Sequence, residues 1–384
     1  MGTITSNYSA KLDGKTSVKV GEDTYAWNER QQLYAIDILS DFEGPTLTAR
    51  LTLTGKSWFL DHIHFGDRID AVIDDKATGT ADSGLVTIGV ISARGLGTNT
   101  ITLRNAEADV IRGGQGRENV SVGYWVAQIY LGTGDDKVSL TGAGEVGSID
   151  LGRGNDVVKT ASGLLGTVYA GRQSDTVLLG KGGADFIDLG RDADTVKLSM
   201  LADKGQAVVL SGGEGVSSST DKDSDTVDFS AFSSKLTVDL NGQATVKSGH
   251  GNFYIRNFEN AFGGSGKDVL VANTDANLLK GNGGADHFVF KSAKAAAGDT
   301  ILDFSRSQKD KIDLGAMDAS TKSGGDQDFT FIGTAGFHKK AGELRYEKKG
   351  GDTLVHGDVN GDGKADFSFT IDASLSLKAS DFIL

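Results

Sequence analysis

The chain has 384 residues, no cysteine and a single proline, Pro45. Without cysteine there is no disulfide framework and no thiolate nucleophile, a composition that suits a cytosolic protein and a secreted one equally. No run approaches 18 apolar residues, so a membrane-spanning helix is not expected, and the opening MGTITSNYSAKLDGK has no apolar h-region of a cleaved secretory peptide. The formal charge of −13 argues against a nucleic-acid partner and for a surface that attracts cations. HExxH, the Gly-x-Ser-x-Gly elbow and a phosphate loop are all missing.

Glycine is what the chain has in excess, with 54 residues, about twice the roughly 7% usual share. It follows no collagen period, and 38% hydrophobic content is too high for a disordered chain. These are turn glycines of a β-rich fold. The stretch GNGGADHFVF (281–290) shows the pattern: a glycine-rich bend, an aspartate, then alternating apolar residues of a short strand.

The pattern recurs. GGSGKDVLV (263–271), ANTDANLLK (272–280) and GNGGADHFV (281–289) align as Gly-Gly-x-Gly-x-Asp-x-apolar-x, with Asp268, Asn277 and Asp286 in the acid position. The middle copy has lost its glycines, but Asn273 and Asp275 also tolerate turn conformations. Upstream, GGQGRENV, LGTGDDKV, LGRGNDVV, AGRQSDTV, GKGGADFI and LGRDADTV share this register, with acids at Glu118, Asp136, Asp156, Asp175, Asp185 and Asp194, spaced 18, 20, 19, 10 and 9. Long steps are two short ones. The half-turns between them, VGYWVAQI, GAGEVGSI and SGLLGTV, keep the apolar positions and lack the acid. If nine residues make half a turn of a coil, residues 18 to 20 apart stack on one edge; that edge should bind cations from Glu118 to Asp194 and the other mostly not.

Each six-residue loop bends the chain and offers carbonyl oxygens, the Asp adds a carboxylate, and the following residues form a strand with its apolar side chain inward. Hard oxygens from two successive turns suit Ca²⁺, which accepts six to eight in flexible geometry, whereas Mg²⁺ demands a strict octahedron. The residues expected at multiple Ca²⁺ sites are Glu118; Gly132, Gly134 and Asp136; Gly152, Gly154 and Asp156; Gly171 and Asp175; Gly183 and Asp185; Gly190 and Asp194; Gly264, Gly266 and Asp268; and Asn282, Gly284 and Asp286. Gln173 and Asp192 replace a loop glycine, and Glu118 replaces the Asp.

On these residues the chain resembles the RTX, or hemolysin-type, calcium-binding proteins, whose nonapeptides coil into a parallel β-roll with Ca²⁺ between successive turns. DTVDFSAFSSKLTVDL (225–240), DTILDFSRSQKDKIDLGAM (299–317) and the segment from AGELRYEKK onward resemble the region around and capping the β-roll of serralysin-type metalloproteases, and the final LKASDFIL resembles their uncleaved secretion signal. The resemblance covers roughly residues 210 to 384 and implies export through a type I ABC transporter. Low cytosolic calcium would leave the acidic loops apart, and external calcium would then supply folding free energy.

DVNGDGKAD places Asp358, Asn360, Asp362 and Asp366 at positions 1, 3, 5 and 9 of an EF-hand-like loop, with Gly363 at position 6. Phe369 stands where the closing Glu would be, so either a reduced Ca²⁺ site or a plain Asx and glycine turn is expected.

Residues 1–92 show no nonapeptide. TLTARLTLT (46–54) and LVTIGVI (85–91) read as strands, and Asn99 and Asp109 fall near the acid register. His62 and His64 share one face of a strand, a spacing open to Zn²⁺ or Cu²⁺ but more often a surface or packing pair. Asp70, Asp74 and Asp75 are expected to be solvated. Tyr124, Trp125, Trp27 and Trp58 have core packing as their default role and sugars or partner subunits as the alternative.

The expected fold is all-β: a parallel β-roll or β-solenoid with an N-terminal β module at 1–92, a first RTX block at 93–200, an irregular continuation at 201–262, a second block at 263–290 and a serralysin-like cap at 291–384. The expected function is that of a bacterial, non-enzymatic protein, secreted or attached to the cell surface, which folds on Ca²⁺ and acts in a surface layer, matrix or adhesion. Partners would be the transporter, further copies of itself and a cell-surface polysaccharide. The alternatives are a secreted polysaccharide- or protein-degrading enzyme and a calcium-dependent glycan-binding module.

Overall fold

A computed structural model describes the backbone of residues 5–12, 15–20, 23–28, 35–38, 47–55, 58–66, 69–76, 85–203, 205–213, 223–241, 244–247 and 251–384, with side chains from Leu51 onward except at 52–58, 67–69 and 244–247. Trp27 and Trp58 therefore lie outside the described side chains. Among the described residues there is no α-helix, only strands and two 3₁₀ turns at Lys294–Ala296 and Ala379–Asp381. No helix among them is long and apolar enough to cross a membrane. The chain divides into two units, residues 1–194 with 201–203, and residues 195–200 with 204–384.

The first unit is a parallel coil of two sheets. One contains Leu47–Gly55, Ile69–Asp75, Thr98–Leu103, Arg117–Val122, Lys137–Leu140, Val157–Thr160 and Thr176–Leu179. The other contains Ala35–Ile38, Trp58–Phe65, Val86–Ala93, Ala106–Arg112, Trp125–Tyr130, Glu145–Asp150, Leu164–Arg172 and Ala184–Arg191. This parallel pairing crosses residues 92 and 93 without a break. Ahead of it, Thr5–Leu12 lies parallel to Leu47–Gly55 and antiparallel to Lys15–Val20, which pairs with Asp23–Asn28.

Register makes the core. In the first sheet Ile73, Ile101, Val120, Val138, Val158 and Val177 stand directly above one another. In the second Ile63, Ile91, Ile111, Ile129, Ile149, Val168 and Ile187 do the same. All are buried, and each such aliphatic side chain contributes about 1.5–3 kcal/mol on burial. The sheets differ in one respect. Inward residues of the first alternate, as in Val120 and Val122, whereas those of the second run Val126, Ile129, Leu131. One residue per turn, at Asp109, Ala127, Gly147, Gly166 and Asp185, slips out of the paired register.

The second unit repeats the design with three-residue strands. Asn260–Phe262, Val269–Val271, Leu278–Lys280 and His287–Val289 begin at intervals of nine residues and alternate between two parallel sheets. ANTDANLLK keeps this path despite its lost glycines. Phe229, Phe232 and Phe253 meet edge-on with ring centroids 5.5–5.8 Å apart, and Phe290 stacks on Phe369 at 4.8 Å. An antiparallel ribbon of Glu343–Lys349, Asp352–Asp358 and Phe367–Ile371 joins the coil where Thr370 and Ile371 pair with Thr300 and Ile301. The last strand, Phe382–Ile383, pairs with Ile312 and Asp313.

Candidate calcium ladders

In the first unit Asn99, Glu118, Asp136, Asp156, Asp175 and Asp194 line one edge, none more than 2% exposed. A carboxylate oxygen of each acid from Asp136 to Asp194 accepts the backbone N–H of its counterpart one turn earlier: Glu118 to Asp136 Oδ1 at 2.8 Å, Asp136 to Asp156 at 2.7 Å, Asp156 to Asp175 at 2.8 Å and Asp175 to Asp194 at 2.7 Å. Successive acids are thus one strand spacing apart, about 4.8 Å. The second oxygens of Glu118, Asp136, Asp156 and Asp175 are buried and have no hydrogen-bond partner.

Four carboxylates buried this way strongly resist ionisation. Burial first, then hydrogen bonding and repulsion from Asp136, pushes Glu118 up to about 9. Burial, opposed by the Asp136 N–H, raises Asp156 to about 7; burial outweighs the Asp156 N–H at Asp175 and raises it to about 8. A stack that must be either protonated or neutralised by a cation is incomplete as protein alone.

The ladder closes upward at Asn99. Its Oδ1 accepts the Ala71 N–H at 2.8 Å, and its Nδ2 donates to Glu118 Oε1 at 2.8 Å and to the Gly95 carbonyl at 3.1 Å. The amide satisfies itself and leaves no oxygen over.

The bends opposite these acids bring backbone oxygens close. Gly134 and Gly154 have φ of +134° and +148°, and a Cβ at either would collide with the carbonyl oxygen of Gly116 or Gly134 in the preceding turn. Gln173 and Asp192 occupy the same loop position and adopt φ of +74° and +83°. The path there is imposed by the coil rather than by residue type, at a conformational cost typical of non-glycine residues in this region. Asp192 Oδ2 also accepts the Gln173 N–H at 2.7 Å. One free carboxylate oxygen per turn and carbonyls from adjacent bends make a hard, all-oxygen donor set that fits Ca²⁺. Among the described residues no three acidic or histidine side chains converge on a point, so backbone oxygens must complete any such site.

The second unit carries acids on both edges. Asp268, Asp286 and Asp310 form one ladder: Asp268 N–H to Asp286 Oδ1 at 2.8 Å and Asp286 N–H to Asp310 Oδ1 at 3.0 Å. On the other edge Asn277 donates its N–H to Asp299 Oδ1 at 2.9 Å. The second oxygens of Asp286 and Asp299 are buried without partners, and burial raises both groups to about 7. Asp268 is closed by the Leu236 and Gly264 N–H groups. A Cβ at Gly263 would stand 2.7 Å from Asp268 Oδ2. Asp299 and Asp310 escape a nine-residue search because their steps from Asn277 and Asp286 are 22 and 24 residues, lengthened by the segments holding Lys294–Ala296 and 302–309. The visible signal was Asp-x-apolar, in Asp299-Thr-Ile301 and Asp310-Lys-Ile312 as in Asp136-Lys-Val138.

Other expectations need correction. Asp185 is exposed and not in the ladder, because the register slip of its sheet turns it outward while Ala184 and Ile187 face in. Asp109 is exposed for the same reason. Asp75 is buried rather than solvated, its Oδ2 accepting the N–H groups of Arg104, Asn105 and Ala106 at 2.7–2.9 Å. Asp70 accepts the Gly97 N–H, and Asp74 pairs with Arg104, which holds its carboxyl below the usual range. Tyr124 is 38% exposed and Trp125 half-buried, so neither packs in the core. His62 and His64 border an open groove of about 580 Å³, with His62 against Asp61 at 3.1 Å.

The EF-hand-like loop does bring its four residues together, closed on themselves. Asp358 accepts the Gly361 and Gly363 N–H groups, Asp366 accepts those of Val359 and Asn360, Asn360 Oδ1 accepts Asp362 N–H, and Asp362 accepts Lys364 N–H. These are Asx turns leading into Phe367–Ile371.

Comparison with known proteins matches two stretches of the chain. Residues 171–197 match the RTX calcium-binding nonapeptide repeat and residues 216–384 the serralysin C-terminal region of M10 peptidases. Over 172 residues the chain is 31% identical to the metallopeptidase AprA of Pseudomonas marginalis and to the metalloprotease AprA of Pseudomonas entomophila. In both cases the match covers 38% of this chain and 35% of the relative, so the chain spans about a third of the curated relatives it matches. RTX nonapeptides bind multiple Ca²⁺ ions.

Proposed function

From a chain that carries RTX calcium-binding nonapeptides and a serralysin-type C-terminal region, we propose a bacterial protein exported by a type I ABC transporter, folded by Ca²⁺ outside the cell, and acting without catalysis in a surface layer, matrix or adhesion. The observation that carries this reading is the row of buried carboxylates whose second oxygens lack partners in both units. Such a row is unfavourable in calcium-poor cytosol and favourable once calcium fills it, so folding follows arrival outside. The C-terminal strand supports the same order of events. Phe382–Ile383 is paired with Ile312 and Asp313, just after the ladder residue Asp310, and Asp381 is held by the Arg306 guanidinium at 2.7–2.9 Å. A segment built into the folded sheet is readable by an exporter only before folding.

The ligands proposed are Glu118, Asp136, Asp156, Asp175, Asp194 and Asp286 with the carbonyls of their glycine loops, joined by Asp299; Asp268 and Asp310, each of whose oxygens accepts a backbone N–H, close the two ends of the second unit's ladder. HExxH is absent from the sequence, and the match to M10 peptidases is to their C-terminal region, over residues 216–384. Particle size and morphology by light scattering and electron microscopy, in chelator and then in millimolar calcium, test the assembly role. Ordered sheets or filaments are expected only with calcium; compact monomers in both conditions would rule out self-assembly.

A further inference from the structure

We propose that the outer face of the second sheet of the first unit is a binding track for a neutral, extended polysaccharide. The inference depends on the proposed function only in placing this face outside the cell.

Parallel register stacks one residue per turn into columns. One column of that face reads Arg112, Tyr130, Asp150, Tyr169 and Asp188. Tyr130 is 40% and Tyr169 49% exposed, unusual for large rings when the same strands bury every aliphatic on their other side. Both rings are held in place. The Arg112 guanidinium lies 6.0 Å from the Tyr130 centroid, and Phe186 meets Tyr169 edge-on at 6.2 Å. Trp125 stands at the opposite end of the same strand as Tyr130, in a column between Glu107 and Glu145.

The two rings stand two turns apart, about 9.5 Å, with the Asp150 carboxylate between them. An extended β-1,4-linked pyranose chain repeats every second sugar over a similar length, presenting C–H faces with hydroxyls at the edges. Tyr130 and Tyr169 can stack on the C–H faces while Asp150 and Asp188 accept hydroxyl hydrogen bonds. A second copy of this chain is the poorer occupant, because face-to-face packing would bring Glu107, Glu145, Asp150 and Asp188 against like charge. The same acids oppose an anionic glycan. Toward the earlier turns the face continues into the open groove beside Phe59, His62 and Asp109, floored by Gly89.

The test is calorimetric titration of cellohexaose into the calcium-loaded full chain, with hexagalacturonate as the anionic control. Saturable binding of cellohexaose and none of hexagalacturonate is expected, weakened about tenfold by Tyr130→Ala and by Tyr169→Ala and unchanged by Tyr254→Ala, an exposed ring of the second unit. No binding of cellohexaose, preference for hexagalacturonate, or equal affinity in the tyrosine variants would overturn the proposal. So would a wild-type dimer that the double variant dissociates, which would make the face a contact between copies. Calcium-dependent circular dichroism on each variant keeps the two readings apart: a chain that folds without calcium and still binds cellohexaose loses the proposed function and keeps this track.

Discussion

Asn277 and Asp286 occupy the same position of adjacent nonapeptides in the second unit, and they end differently. Asn277 Oδ1 accepts the Asn273 N–H at 2.9 Å and its Nδ2 donates to Asn273 Oδ1 at 2.7 Å, so the amide is complete. Asp286 accepts the Asp268 N–H with one oxygen and buries the other unpaired. Asn99 and Glu118 repeat the contrast at the start of the first unit's ladder. An amide NH₂ in place of a carboxylate O⁻ separates a turn that closes itself from one that leaves a buried oxygen unpaired. On the proposed assignment, asparagine stands where the coil ends a ladder or continues without calcium, and aspartates with an unpaired oxygen stand where calcium is to bind.

Removing every cation should break the contrast most severely. In chelator near neutral pH the aspartate turns of both units are expected to lose their cooperative far-UV dichroism, and millimolar Ca²⁺ but not Mg²⁺ should restore it; identical melting with and without calcium would refute the ladders. Protonation is the next largest lever. In the unfolded chain these carboxyls titrate near 4, whereas in the metal-free fold Glu118 sits at about 9, Asp175 at about 8 and Asp156 and Asp286 at about 7. A folded value above the unfolded one stabilises the fold at low pH, and that contribution fades as pH rises through about 7 to 9. Metal-free protein should accordingly be more folded near pH 5 than near pH 8, which denaturant midpoints at the two values would check.

Single ladder residues should act more locally. Asp156→Ala and Asp286→Ala each remove a ligand from within a ladder and should raise the calcium midpoint of folding ~10-fold or more, the scale known for losing even a supporting group at a metal site; unchanged titrations of both would sink the assignment. Exchanging the two residue types sharpens the comparison with a smaller effect. Asn277→Asp should increase the calcium needed, and Asp286→Asn, which loses the charge but keeps the side chain's shape, should raise the midpoint less than Asp286→Ala does, read from the same titrations. Smallest of all, Asp185→Ala should leave calcium dependence unaltered and stability within about 0.5 kcal/mol, as for other exposed sites.

The nonapeptide was legible because its residue types are dictated locally. A bend approached closely by the neighbouring turn demands glycine at 134 and 154, and strand starts every nine residues from Asn260 to His287 follow directly from that spacing. The extent of the coil was less legible. Ile63, Ile91 and Ile111 stack in one column although their steps are 28 and 20 residues, and no short repeat reveals such a column when the connecting segments vary. Asp299 and Asp310 were missed for that reason, and Asp185 was misplaced because a one-residue slip in pairing is invisible in sequence.

By itself the sequence determined an all-β coil of glycine bends and aspartates suited to Ca²⁺, since periodicity, turn chemistry and ligand hardness are local properties. Tertiary structure alone decided which carboxylates face inward with an oxygen to spare, where asparagine ends a ladder, and that Tyr130 and Tyr169 share an outward column. Those outcomes depend on register between strands about twenty residues or more apart, and register is set by packing of the whole coil.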